Sequence, residues 1–148
     1  MTDAARPRIL GIDFGSKRIG LSLSDPLGII ATPYMTIQND KTVWSRLKQI
    51  IGRESVSYIV IGMPRNLKGE QSHKAKEVEA FIARLKSETT LEVFTWDERY
   101  TTMIAEQTLI DMNMNKKGRN AKSGQLDSMA AALILQGFLD CTKHSKSC

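Results

Sequence analysis

Arg8–Asp25 reads RILGIDFGSKRIGLSLSD, and this stretch decides the fold. Ile9, Leu10 and Ile12 make a short apolar run that ends at Asp13. Phe14-Gly15-Ser16-Lys17-Arg18 then reads as a tight connection, with Gly15 free to take a positive φ. After it, Ile19, Leu21 and Leu23 alternate with Gly20, Ser22 and Ser24, the period of two that marks a half-buried strand. The pattern predicts a β-hairpin whose first strand, central in a sheet, closes on a carboxylate. Ionised carboxylates are seldom buried unless positive charge compensates them. Asp13 thus has two readings, an organiser of the turn with Gly15 or a ligand of a divalent metal. The hairpin alone favours the first.

Working outward, Asp25-Pro26-Leu27-Gly28 is a turn and Ile29–Ile37 supplies a third strand, which completes an antiparallel meander. Asn39 or Asp40 can cap a helix running to Glu54, with Val43, Trp44, Leu47, Ile50 and Ile51 at helical spacing. Val56 to Ile61 is a fourth, buried strand rich in β-branched residues and closed by Gly62. The loop Gly62–Ser72 is followed by a helix to Ser87, with Ala75, Val78, Phe81, Ile82 and Leu85 on one face. Leu91–Trp96 is a fifth strand, ending in Asp97-Glu98-Arg99. Thr101 or Thr102 can cap a helix to Met112, and Asn113–Lys122 is polar and cationic. The last helix, from Ser123 to Leu139, is apolar almost all round and so is buried on more than one side. The order β-β-β-α-β-α-β-α-α predicts an α/β protein. Its strand–helix–strand steps add parallel strands through right-handed crossovers, giving a five-stranded mixed sheet with helices on both faces.

The 148 residues fit one domain, with residues 1–7 and 141–148 as flexible tails. At 41% hydrophobic and 25% charged the composition is that of an ordinary globular protein. A net charge of +5 is compatible with a phosphate polymer as partner but does not require one. The N-terminus lacks a signal pattern, and the longest apolar run, Met129–Leu135, is too short to span a bilayer. Cys141 and Cys148 are read as free thiols in a reducing compartment, so the expected location is cytoplasmic, with no membrane partner.

Two further acidic residues stand out. The fifth strand ends in acid as the first does, and ligands of parallel α/β sheets collect outside the carboxyl ends of strands. Asp97 competes with Glu98 for this role, since alternation sends neighbours to opposite faces. A plain alternative for Glu98 is a surface ion pair with Arg99. Asp127 lies in the first turn of an otherwise apolar helix, in line with Ala131 and Ile134. It is either an acid stabilised by the helix dipole, worth under about 1 kcal/mol, or a third carboxylate aimed at the same strand ends. Three carboxylates without a His or Cys constellation suit Mg²⁺ or Mn²⁺ rather than zinc. A pair of such ions about 3.5–4 Å apart can activate water and stabilise a leaving oxygen in phosphodiester cleavage.

GIDFGSKRIGLSLSD at the start, IVIGMPRNLKGEQS in the middle, WDERYTT at Trp96–Thr102 and LDSMAAALILQGFL near the end resemble the YqgF family. These are pre-16S rRNA nucleases, also called Holliday-junction-resolvase-like proteins. The motifs span nearly the whole chain in the family's order. The resemblance implies an RNase H-like fold, and it places Asp13, Glu98 and Asp127 at the three acidic positions of the nuclease site. It also implies precursor ribosomal RNA or four-way DNA as substrate, and ribosomal precursor particles as partners.

Lys116, Lys117, Arg119 and Lys122 cluster just before the helix that carries Asp127. Lys17 and Arg18 lie in the hairpin, and Arg65 and Lys68 in the middle loop. Such runs are ordinarily solvated loops, but their place beside acidic ligands points to nucleic-acid phosphates. Trp96 and Tyr100 flank the acidic turn and are candidates to stack on bases, with core packing the alternative for Trp96. The leading expectation is a metal-dependent endonuclease for precursor 16S rRNA. Beside it stand a Holliday junction resolvase, which would need a two-fold dimer, and an RNA-binding or ribosome-assembly factor without activity. The Asp13-Phe14-Gly15 hairpin with Lys17 also resembles the phosphate loop of actin-like ATPases, which close two such domains on a nucleotide.

Overall fold

Alternation along the strands assigns every buried side chain to one of two faces, and that assignment organises the molecule. The structure, a computed structural model, describes residues 8–64, 73–98 and 123–144. Its elements are β1 (Arg8–Asp13), β2 (Arg18–Ser24), β3 (Ala31–Gln38), α1 (Val43–Arg53), β4 (Val56–Met63), α2 (His73–Glu88), β5 (Glu92–Asp97) and α3 (Ser123–His144). They build a five-stranded sheet in the order β3-β2-β1-β4-β5. The β1–β2 and β2–β3 pairs are antiparallel, while β1–β4 and β4–β5 are parallel. The carboxyl ends of β1, β4 and β5 therefore share one edge of the sheet, as the sequence predicts.

Leu10 and Ile12 of β1 and Ile59, Ile61 and Met63 of β4 pack with the apolar stripes of α1 and α2. On the opposite face, Ile9, Val60 and Trp96 pack with Ile134, Leu135 and Leu139 of α3. The result is three layers, with β1 buried from both sides. Each fully buried aliphatic side chain contributes roughly 1.5–3 kcal/mol. Among the described residues no helix is long and apolar enough to cross a membrane.

Several local expectations are corrected. The third strand begins at Ala31 rather than Ile29, because Asp25 Oδ1 accepts the backbone N–H of Ile29 at 2.7 Å and of Ile30 at 2.9 Å. Neither Asn39 nor Asp40 caps α1; the N-cap is Thr42, with no side-chain capping bond. Asp40 Oδ1 instead accepts the Thr42 N–H at 2.8 Å and hydroxyl at 2.6 Å. Asn39 serves the hairpin: its side-chain amide donates to the Gly15 carbonyl and its backbone N–H to that of Lys17, each at 2.9 Å. The last helix continues past Leu139 to His144. The reading of Cys141 as a free thiol is overturned, since Cys141 is disulfide-bonded; Cys148 lies outside the described residues. The helix expected from Thr101 to Met112 lies outside the described residues.

Candidate active site

Asp13 is the last residue of β1 and follows Ile9 and Gly11 onto the α3 face. On one side it lies opposite Gly20 of β2. On the other, one step past the Ile12–Ile61 pair, it is level with Gly62 of β4. These two glycines decide what stands beside it. A methyl group on Gly20 would collide with the backbone carbonyl of Asp127 and come within 2.9 Å of the Asp127 Cβ. A methyl on Gly62 would lie 2.6 Å from Glu98 Oε2 and 2.6 Å from Ile134 Cδ1. Three carboxylates thus occupy one face of three adjacent strands. Asp127 stands over β2, Asp13 ends β1 and Glu98 stands over β4.

The Asp97–Glu98 choice follows from the pleat. Asp97 pairs with Met63, which packs on the α1 and α2 face. Trp96 pairs with Gly62 on the α3 face, and Glu98 reaches the same glycine. Trp96 is core: its indole lies 3.0 Å from where a Gly137 side chain would begin and packs edge-on to Phe138 at 6.4 Å. That packing leaves no room for a base to stack on it. Tyr100 lies outside the described residues, as do Arg65, Lys68, Lys116, Lys117, Arg119 and Lys122.

Burial, then the Glu98 and Asp127 charges, push the Asp13 carboxyl from its ordinary 3.8 up to about 7, against the pull of Lys74. Burial also raises Glu98, opposed by Lys74 and helped by Asp97. Asp127 is held differently, its Oδ2 accepting a 2.8 Å charge-assisted bond from Arg18 Nε. A cavity of about 380 Å³ opens beside this pair, lined by Gly15, Ser16, Lys17, Arg18, Lys74, Glu77 and Asp127. Among the described residues no three His, Cys, Asp or Glu side chains are gathered tightly enough to hold a metal ion as they stand.

The donor chemistry nevertheless fits a hard divalent cation. All three groups offer oxygen, and Asp13 and Glu98 are half-buried acids whose pKa values are raised because desolvation outweighs the pull of Lys74. Of the three, Asp127 alone is engaged by a guanidinium, through its Oδ2. The sequence reading missed three participants. Gly20 and Gly62 are signalled by glycine inside a strand, which often marks a close approach. Lys74 is signalled by a cation in the first turn of a helix, against the dipole, where an acid is favoured.

Comparison with known proteins bears on the family and the fold. The family model described as RuvX, Holliday junction resolvase, matches residues 7–141. A protein of Desulforamulus reducens named "putative pre-16S rRNA nuclease" is 43% identical over 135 residues, covering 90% of this chain and 96% of its own. A protein of the same name from Sulfurihydrogenibium sp. is 42% identical, covering 90% of each chain. Among solved structures, RuvC of Thermus thermophilus in complex with a Holliday junction substrate superposes with a TM-score of 0.58. The match covers 94% of this chain and 97% of that one at 11% identity. The fowlpox virus resolvase, solved with Holliday junction DNA, gives 0.51 over 90% and 97% at 12% identity. At such identities the likeness is one of fold, and it makes this sheet RNase H-like.

Proposed function

This chain belongs to the family described as RuvX, Holliday junction resolvase, and we therefore propose that it is a metal-dependent endonuclease whose working groups are Asp13, Glu98 and Asp127. The observation that carries the proposal is the convergence of these three acids on one sheet face, at the edge where β1, β4 and β5 end. The proposed substrate is precursor 16S rRNA, a reading supported by the name its relatives carry. Mg²⁺ or Mn²⁺ bound there would supply water of lowered pKa and neutralise charge on the attacked phosphate. The chain's own work is positional. Asp13 and Glu98 would offer oxygens from the sheet edge, and Asp127, packed over Gly20 opposite Asp13, would offer the third carboxylate from α3. Lys17 and Lys74 line the adjoining cavity and would hold neighbouring phosphates. Arg18, Arg65, Lys116, Lys117, Arg119 and Lys122 are proposed for the same task along the substrate.

Four-way DNA is the second reading. It is favoured by the family's description and by a fold neighbour solved on a junction, and paired symmetric cuts would require a two-fold dimer. The test compares a precursor 16S rRNA fragment, an unrelated RNA hairpin and a four-way DNA junction, each with Mg²⁺, Mn²⁺ or chelator. Metal-dependent cutting of the precursor, ahead of the hairpin and junction, is the expected result. Symmetric junction cuts with the precursor left whole would move the substrate to DNA.

Two binding predictions accompany it. Because the clustered acids repel one another, Mn²⁺ should stabilise the fold, by about 2.7 kcal/mol at a hundred times its dissociation constant. In a thermal melt this is a rise of roughly 5–10 °C, and an unmoved midpoint at millimolar Mn²⁺ would refute a shared site. Lys17→Ala should weaken binding to all RNA sequences alike. It should also flatten the salt dependence, by up to about 0.9 in log–log slope for a lost duplex phosphate. An unaltered slope would remove Lys17 from the phosphate contacts.

A further inference from the structure

Arg18 and Asp127 sit on the wall of one cavity, and each has a second suitor there. Asp127 neighbours Asp13, within reach of its charge. Arg18 shares the cavity with Lys17, Lys74 and one further acid, Glu77, so that cations outnumber acids on its wall. The 2.8 Å bond between them joins the start of β2 to the last helix, where Asp127 is the fifth residue and so lies past the first turn in which the sequence places it. It is half open to water, with side chains 39% and 25% exposed, so it is strong enough to set a position and weak enough to exchange.

We propose that Arg18 is a resident counter-ion that occupies Asp127 until a substrate phosphodiester draws its guanidinium away, so that metal and nucleic acid bind this protein cooperatively. The inference rests on the nuclease reading above. Charge favours the exchange. With Lys17 balanced by Glu77 on the cavity wall, three carboxylates facing Arg18, Lys74 and one divalent ion leave a single positive charge, and one phosphodiester neutralises it. Without the phosphate, ion and guanidinium compete for the same Asp127 oxygens, and each weakens the other's hold. A guanidinium suits both partners, since its planar fork matches carboxylate and phosphate alike. The coupling is reciprocal by linkage: whatever nucleic acid adds to metal affinity, metal adds to nucleic-acid affinity.

Isothermal calorimetry of Mn²⁺ on the full chain tests this without reference to turnover. The titrations use wild type, Arg18→Gln and Arg18→Lys, each alone and with a short RNA hairpin whose length is checked on a gel afterwards. Arg18→Gln should bind Mn²⁺ about fivefold tighter than wild type, the size expected when a partly exposed ion pair is removed from the competition. Arg18→Lys should stay near wild type, because it keeps the charge. The hairpin should tighten Mn²⁺ binding to wild type by a similar factor and leave Arg18→Gln unmoved. In an Asp127→Asn background the Arg18→Gln effect should vanish. Equal Mn²⁺ affinity in wild type and Arg18→Gln would overturn the proposal, as would a hairpin that leaves wild-type affinity unchanged. If wild type binds no Mn²⁺ with or without the hairpin, the metal-dependent reading itself fails and this proposal with it.

Discussion

Asp13→Asn is expected to lower cleavage by at least about a hundredfold, a loss of about 2.7 kcal/mol of transition-state stabilisation, while making the metal-free protein more stable above neutral pH. The two effects share one cause. The folded carboxyl titrates at about 7 against an ordinary 3.8, chiefly because it is buried and next because Glu98 is close. Between those values the folded chain keeps a proton that the unfolded chain has lost, so stability falls as pH rises through that window. The penalty is complete above pH 7 and absent below about 3.8. Three pH units correspond to an upper bound of about 4 kcal/mol. Asparagine removes the charge but must still satisfy a buried amide, so a gain of about 2 kcal/mol, or roughly 5 °C, is the expected net at pH 8. Melts of both proteins in chelator from pH 5 to 9 check it. The difference between them should open from pH 5 to about 7 and hold constant above it, and a difference that stays flat throughout would mean that Asp13 is not the titrating acid.

Gly20→Ala should cost about 3 kcal/mol, a fall of roughly 6–12 °C in the melting midpoint. Its Cβ would run into the backbone carbonyl of Asp127, and a helix backbone cannot swing aside as a side chain can. The start of α3 must lift, so Asp127 moves from Asp13 and cleavage falls with stability. Gly52→Ala is the matched control. Gly52 lies in α1 with nothing within 4 Å of an added methyl, and there alanine should stabilise by about 0.5–1 kcal/mol. If the two variants melted alike, the close approach of helix and sheet at Gly20 would not hold.

What the sequence discloses is what short-range periodicity encodes. The run Ile9–Ile12 and the alternation through Leu23 predict the hairpin and its acid, and the β-branched run at Val56–Ile61 predicts the strand beside it. The strand–helix–strand steps make β4 and β5 parallel to β1, which puts the acidic end of β5 on the edge where β1 ends. Asp13 and Glu98 stand out as acids at strand ends and Asp127 as an acid in an apolar helix, but each has a plain local alternative, and it is the family resemblance that joins them into one site. Long-range choices are less visible. Nothing local says that Arg18 meets Asp127, 109 positions away, or that two strand glycines exist to seat acids from other elements. The start of the third strand fails for a different reason. Ile29 and Ile30 have strand-forming side chains, yet the Asp25 carboxylate captures both of their N–H groups. At Cys141, composition suggests a thiol and the fold holds a disulfide.

The central claim is that three acids on one face of the sheet cut a phosphodiester, and parallel cleavage assays with wild type, Asp13→Asn and Asp127→Asn test it most directly. Each is purified identically and given a precursor 16S rRNA fragment in Mg²⁺, Mn²⁺ or chelator, with circular dichroism and RNA binding recorded for every variant. Wild type should cut only with metal, and both variants should fold and bind RNA yet leave it intact. Cleavage of equal strength by all three proteins would belong to a contaminant and would contradict the assignment of these carboxylates to the reaction.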